Sequence, residues 1–253
     1  MTDGVDLLVV AAHPDDAELA MGGTLLLAAH LGYRTGILDL TRGELSSRGD
    51  PETRARETER ATEILGLAWR GNLGERDGDV RDTAEARTRF AEIIRALRPR
   101  VVLAPWREDL HPDHAGAGEL VTRAWYLCGV EKFTRGKSPY RPGLLAYYMC
   151  HTPFIPTIVV DISPFWNRKL EAIRAYGSQF LRSRAEGPPT KVSRPDFLQA
   201  VEGRAREYGL QVEVSFGEPL CWVTPPAISD PVGFLGMPAA GSPGSGCDGE
   251  EGR

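Results

Sequence analysis

Several things the sequence lacks narrow its class. Cysteine is scarce: Cys128, Cys150, Cys221 and Cys247 stand far apart with no CxxC pair, which excludes a cysteine-rich zinc module and a small disulfide framework. They read as free thiols. Positive charge is not in excess, since the formal net charge is -5, so nothing marks a surface for nucleic acid or an anionic membrane. No apolar run approaches the length that spans a bilayer. The N-terminus shows no basic n-region, no separate apolar h-region and no cleavage site, and the cytoplasm is therefore the expected compartment. There is no internal repeat. No G-x-G-x-x-G follows the first apolar run, which weakens the reading as a non-enzymatic nucleotide- or sugar-binding module.

What is present is a chain of 253 residues, long enough for one sizeable core. Asp6 to Ala12 is a short continuous apolar run, the pattern of a buried parallel strand. From Asp16 the apolar residues Leu19, Leu25, Leu26 and Leu31 recur at helical spacing until Gly32. Gly22 and Gly23 lie inside this predicted helix, where each costs about 1 kcal/mol relative to Ala. Close approach of a neighbouring strand or a ligand would explain them. Thr35 to Leu40 reads as a second strand, followed by the polar loop Thr41 to Gly49 and a helix that Asp50 caps and Pro51 begins, ending at Gly66.

Further along, Ala68 to Leu73 and Arg100 to Pro105 read as strands, with helices over Thr83 to Leu97 and Ala115 to Cys128. The second half is less regular. Strands are predicted over Gly143 to Cys150, Thr157 to Asp161 and Gly217 to Val223, and helices from Ser163 to about Tyr176 and from Pro195 to about Tyr208. This alternation predicts an α/β, Rossmann-like fold, a mostly parallel sheet with helices on both faces. Residues 1–235 are expected to form a single domain, and the Gly/Ser/Pro-rich residues 236–253 a flexible tail.

Two polar clusters follow strands in this reading. The first is His13-Pro-Asp15-Asp16-Ala-Glu18, and the second is His111-Pro-Asp113-His114. In doubly wound sheets ligands bind beyond the carboxyl ends of the strands, which is where both clusters and the Thr41–Gly49 loop fall. Histidines and carboxylates converging there suit a hydrolytic zinc site, with three protein ligands and one open position. A bland reading of either cluster alone is an Asp that caps a helix, or a loop histidine with a satisfied hydrogen bond. The two together favour a metal site. Spacing alone leaves open which of His111 and His114 binds metal. His30 reads as an exposed helix residue, and His151 stays unassigned.

The chain resembles the LmbE-like, or PIG-L, family of zinc-dependent de-N-acetylases, through Ala12-His-Pro-Asp-Asp-Ala-Glu18, His111-Pro-Asp-His114 and the supporting Gly22-Gly-Thr24. Leu40 to Gly49 and Pro51 to Arg54 resemble the branch that deacetylates N-acetylglucosaminyl L-malate in bacillithiol biosynthesis. The resemblance implies that His13, Asp16 and His114 are zinc ligands and Asp15 the general base. Iron(II) could replace zinc in the cell. His111, protonated and held by Asp113, is expected to stabilise the oxyanion. Arg42, Arg48 and Arg54 are candidates for an anionic substrate group, with solvated surface arginines as the alternative for Arg42 and Arg48. The implied partner is a small amino-sugar substrate, with no nucleic acid or membrane. The implied assembly is a homo-oligomer, possibly a hexamer. Other substrates open to the family are a mycothiol-type conjugate, a mycothiol S-conjugate and a chitooligosaccharide.

Overall fold

The computed structural model describes residues 4–181, 187–225 and 227–235. The tail expected from residue 236 onward, with Cys247, lies outside them. The strands are β1 (Leu7–Ala11), β2 (Thr35–Asp39), β3 (Trp69–Asn72), β4 (Val101–Pro105), β5 (Leu144–Tyr148), β6 (Ile158–Asp161) and β7 (Gly217–Cys221). The helices are α1 (Asp16–His30), α2 (Pro51–Leu65), α3 (Ala84–Leu97), α4 (Pro112–Leu127), α5 (Trp166–Ala175), α6 (Gly177–Phe180), α7 (Phe197–Leu210) and α8 (Pro231–Leu235).

All seven strands join one sheet in the order β3-β2-β1-β4-β5-β7-β6. The first five run parallel, while β7 pairs antiparallel with both β5 and β6. The expectation of a mostly parallel sheet with helices on both faces holds. Along β1, Leu8 and Val10 enter the core under α3 and α4, whereas Leu7, Val9 and Ala11 enter the core under α1. A strand covered on both faces has no side left for polar residues, which is why β1 is a continuous apolar run.

Local chemistry sets the helix ends. Asp50 accepts a hydrogen bond from Thr53 N at 2.7 Å with Pro51 at the first position, and α2 stops at Gly66 in the left-handed region. Two boundaries differ from expectation. The fourth helix begins at Pro112 rather than Ala115, because His111 takes the capping position and its Nδ1 accepts from Asp113 N at 3.2 Å. The single helix expected from Ser163 is a short 3-10 turn, Ser163–Phe165, leading into α5. There the Ser163 hydroxyl turns back to donate to Asp161 Oδ1 at 2.6 Å.

The chain order reverses between β1 and β4. Neighbouring loops part there and leave a crevice at the strand ends. Both polar clusters open onto that crevice.

Candidate metal centre

The crevice is filled from two sides. After β1, Asp16 closes a tight turn, with its Oδ2 accepting His13 N at 2.9 Å. Asp15, between them in the turn, takes φ 129°, a conformation that costs about 1–3 kcal/mol in a non-glycine residue. This turn directs neighbouring side chains apart, Asp16 toward His13 and Asp15 toward α2. From β4, the His111 cap starts α4 so that His114 points back over the crevice.

Asp16 Oδ2 lies 3.2 Å from His13 Nδ1 and 3.2 Å from His114 Nε2. One donor atom from each of the three residues falls within 4.8 Å of the others. The outer ring nitrogens are held by further carboxylates. His13 Nε2 is 3.0 Å from Asp113 Oδ2 and 3.2 Å from Asp77 Oδ1, and His114 Nδ1 is 3.1 Å from Asp109 Oδ1. Metal-ligating histidines characteristically engage a carboxylate through the second nitrogen, which fixes the tautomer and aims the first. Two imidazoles and one carboxylate so oriented form a donor set that fits a zinc-like ion with a position left open.

The electrostatics call for positive charge at this point. Burial opposes the imidazolium of His13, yet hydrogen bonds to Asp113, Asp16 and Asp77 outweigh it and raise its pKa to about 12. Burial likewise opposes charge on His114, and Asp16 and Asp109 raise its pKa well above the usual value. Carboxylates this closely packed require positive charge among them, from protons or from a metal. At Asp15, burial raises the carboxyl to about 6 against the opposing pull of Arg54.

Not every expected residue stands where the sequence implied. Asp113 does not hold His111: its carboxylate receives His13 Nε2 and the backbone N–H groups of Gly78 and Val80 at 2.8 and 3.1 Å. His111 instead accepts the Asp113 backbone N–H through Nδ1, and burial followed by the nearby His114 and His13 lowers its pKa. The expected hydrogen bond from His111 to the Asp113 carboxylate is thus not formed, and burial disfavours charge on the His111 ring. Arg54 turns its Nη1 to Asp15 Oδ2 at 2.8 Å and to Pro14 O at 2.9 Å. Arg48 is buried, with Nε donating to Ser178 O and Nη1 to Gly187 O. Arg42 is exposed on the loop after β2.

Three site residues had no distinct signal in the sequence. Asp109 accepts from the backbone N–H groups of His111, His151 and Thr152 as well as facing His114. His151 stacks on His114 at 5.1 Å with its Nδ1 3.2 Å from Asp109, which draws it into the site. Asp77 reaches His13 from the loop after β3. His30 is exposed, its ring against Phe165 at 5.5 Å.

The motif's last member, Glu18, is fully buried and serves the frame. Its Oε1 accepts from Arg70 Nη1 at 2.6 Å and Tyr176 Oη at 3.0 Å, while Arg70 also grips Asp39 with Nε and Nη2. The Gly22-Gly23 pair is explained by the close approach of Lys169 and Ile162, beside Glu218 of β7. Glu218 accepts from Gly23 N, Thr24 N, Thr24 Oγ1 and Lys169 Nζ, all between 2.6 and 2.8 Å. A Cβ at Gly23 would stand 2.5 Å from Ile162 Cβ.

A Rossmann-like sheet with two histidines and a carboxylate at its switch point, each histidine backed by a further carboxylate, forms a candidate metal centre of the kind that metal-dependent hydrolases use. Comparison with known proteins gives the family. The chain matches PIG-L, described as GlcNAc-PI de-N-acetylase, over residues 8–125. It is 32% identical over 189 residues to diacetylchitobiose deacetylase of Thermococcus kodakarensis, covering 69% of this chain and 70% of that one. It is 28% identical over 191 residues to a probable N-acetyl-alpha-D-glucosaminyl L-malate deacetylase 2 of Bacillus anthracis, covering 69% and 81%. A conserved protein of Thermus thermophilus superposes with TM-score 0.81 at 42% identity, covering 90% of this chain and 98% of that one. The chain belongs to the PIG-L/LmbE-like family of de-N-acetylases, enzymes that hydrolyse an N-acetyl amide bond. Among the described residues no helix is long and apolar enough to cross a membrane.

Proposed function

We propose that the enzyme is a zinc-dependent deacetylase of an N-acetylglucosamine conjugate and that its substrate is N-acetylglucosaminyl L-malate. The observation that carries the metal chemistry is the paired arrangement of His13 and His114, inner nitrogens on Asp16 and outer nitrogens on Asp113 and Asp109. His13, Asp16 and His114 would hold the ion. When bound, zinc supplies Lewis-acid polarisation of the amide carbonyl and a water acidic enough to attack near neutral pH.

The chain's own groups move the protons. Asp15 is buried beside Arg54; ionised, it takes a proton from the attacking water and passes it to the leaving amine. Arg54 fixes that carboxylate in place without competing for substrate. His111, accepting through Nδ1, has its Nε2–H available to donate to the oxyanion that forms on the amide oxygen. One such preorganised donor is worth about 3–4 kcal/mol of barrier.

The malate reading draws on the polar loop after β2 and on the Bacillus anthracis relative. With Arg48 and Arg54 engaged inside the protein, Arg42 is the arginine that suits a malate carboxylate. A second reading, diacetylchitobiose, is favoured by the Thermococcus relative at 32% identity.

Acetate release from the malate conjugate, diacetylchitobiose and free N-acetylglucosamine, measured on metal-stripped protein and again after restoring zinc or iron(II), separates these readings. Zinc-dependent release that prefers the malate conjugate, with Arg42→Ala raising KM for that substrate alone, is the expected result. Preference for chitobiose moves the reading to the second substrate. Release that survives complete metal removal overturns the mechanism.

A further inference from the structure

The metal centre has two unlike sides. On one, Asp77 from the loop after β3, with Glu44 of the β2 loop accepting its backbone N–H, and His111 and Asp113 from the start of α4 gather beside His13. On the other, Asp15, Asp16 and His114 form one wall of a cavity of about 230 Å³ whose far walls are Leu19, Phe180, Val192, Phe197 and Val201. Phe180 and Phe197 stack at 5.6 Å with ring planes 4° apart, giving a firm apolar wall. None of Glu44, Asp77, Asp113 and His111 lines this cavity.

Among the described residues, the charged side chains that reach the cavity are engaged apart from Lys191. Lys169 and Glu218 pair at 2.7 Å, and the Glu218 carboxylate is filled by helix N–H groups and Thr24. Arg204 donates to Cys150 O at 2.6 Å, and His151 turns to Asp109. Among the described residues, sugar hydroxyls would find few free partners there beyond Lys191. An apolar chain would find a matching surface.

An N-acylated amino sugar is itself two-sided, with hydroxyls on the amine side of the scissile amide and hydrocarbon on the acyl side. Matching polar to polar and apolar to apolar places the sugar against the β2 and β3 loops and the acyl group in the cavity. Its size exceeds what acetyl needs, since an apolar cavity of roughly 150 Å³ already accepts benzene. We infer that the enzyme is an N-deacylase whose cavity receives linear acyl chains longer than acetyl, up to about six carbons. This rests on the amidohydrolase reading above and sets the acyl specificity of the same site.

The test compares N-acetyl-, N-butyryl- and N-hexanoyl-glucosamine as substrates of zinc-restored protein, reading free amine. Each buried methylene is worth about 0.8 kcal/mol, or roughly fourfold, and hexanoyl adds four to acetyl. At least a tenfold higher kcat/KM for hexanoyl is expected. Ala200→Phe and Val201→Phe, each checked for folding by thermal melt, should lower the hexanoyl-to-acetyl ratio at least tenfold. Hexanoyl cleaved no faster than acetyl, or a ratio unmoved in both folded variants, overturns the inference. A gain for the phenyl glycoside of N-acetylglucosamine without a gain for hexanoyl also overturns it, placing the aglycone in the cavity. No cleavage of any amide overturns the amidohydrolase reading instead. Calorimetry of hexanoate against acetate then judges the cavity alone: tenfold tighter hexanoate sustains it and equal affinity removes it.

Discussion

The carboxyl ends of β1 and β4 and the antiparallel edge at β7 both bury charge, and they do so to different ends. At β7 the charges match one to one: Lys169 meets Glu218, and that carboxylate takes three further donors from α1. At the switch point carboxylates prevail, with Asp15, Asp16, Asp77, Asp109 and Asp113 set around His13, His111, His114, His151 and Arg54. A balanced pair holds a strand to a helix. An unbalanced cluster suits an added cation, whose arrival would offset part of its folding cost.

The largest expected effect is on chemistry. Asp15→Asn keeps an acceptor for Arg54 and leaves the metal donors in place, yet removes the proton-transfer group. Loss of about 10²–10⁴ in kcat is expected, with zinc affinity nearly unchanged by calorimetry. Wild-type kcat in that variant would remove Asp15 from the mechanism.

At the other region the effect should fall on stability alone. Glu218→Ala leaves Lys169 buried without its partner and strips the acceptor from Gly23 and Thr24, and truncating one member of such a pair costs about 3–5 kcal/mol. Urea unfolding of the metal-free variant measures it. A shift of the midpoint with little change in zinc affinity sharpens the contrast, whereas lost zinc affinity without lost stability would break it.

Asp109→Asn probes the boundary between the two behaviours. It weakens the carboxylate behind His114 without touching an inner donor, and outer-shell changes of this kind lower metal affinity about 10- to 100-fold. Competition with a chromogenic chelator reads that directly. Equal affinity in wild type and variant would show that Asp109 serves only the loop amides of His111, His151 and Thr152.

How far the sequence exposed each region follows from chain separation. His13 and Asp16 lie three residues apart and His111 and His114 also three, so short motifs carry the donors, and apolar runs carry the parallel strands that place them. Gly22-Gly23 signalled a close approach but not what approaches, because Glu218 is 195 residues from Gly23. Asp109 and Asp77 look like ordinary loop acids until the fold turns them inward. Asp113 was legible as a site residue but not by its partner, since a backbone N–H already occupies the His111 nitrogen nearest to it in sequence. The arginines show the same limit, because a guanidinium near a strand-end loop reads alike whether it faces solvent or, like Arg54, the buried Asp15 carboxylate.

The smallest effect comes from α4, whose two ends treat burial differently. At its start His114 is compensated by Asp16 and Asp109. Just past its end, Cys128 is fully buried, and burial raises its thiol to about 12 against an ordinary value of 9.0 despite the nearby Arg95. Between those two pH values the unfolded chain has lost the thiol proton and the folded chain keeps it, so the unfolded state binds fewer protons and stability falls as pH rises. The contribution is complete below pH 9.0 and is lost toward about 12. Stability measured at pH 8 and pH 10.5 for wild type and Cys128→Ala isolates it: the advantage of wild type over the variant should shrink by roughly 2 kcal/mol. A constant difference would mean that the thiol end of α4 is as well compensated as the histidine end.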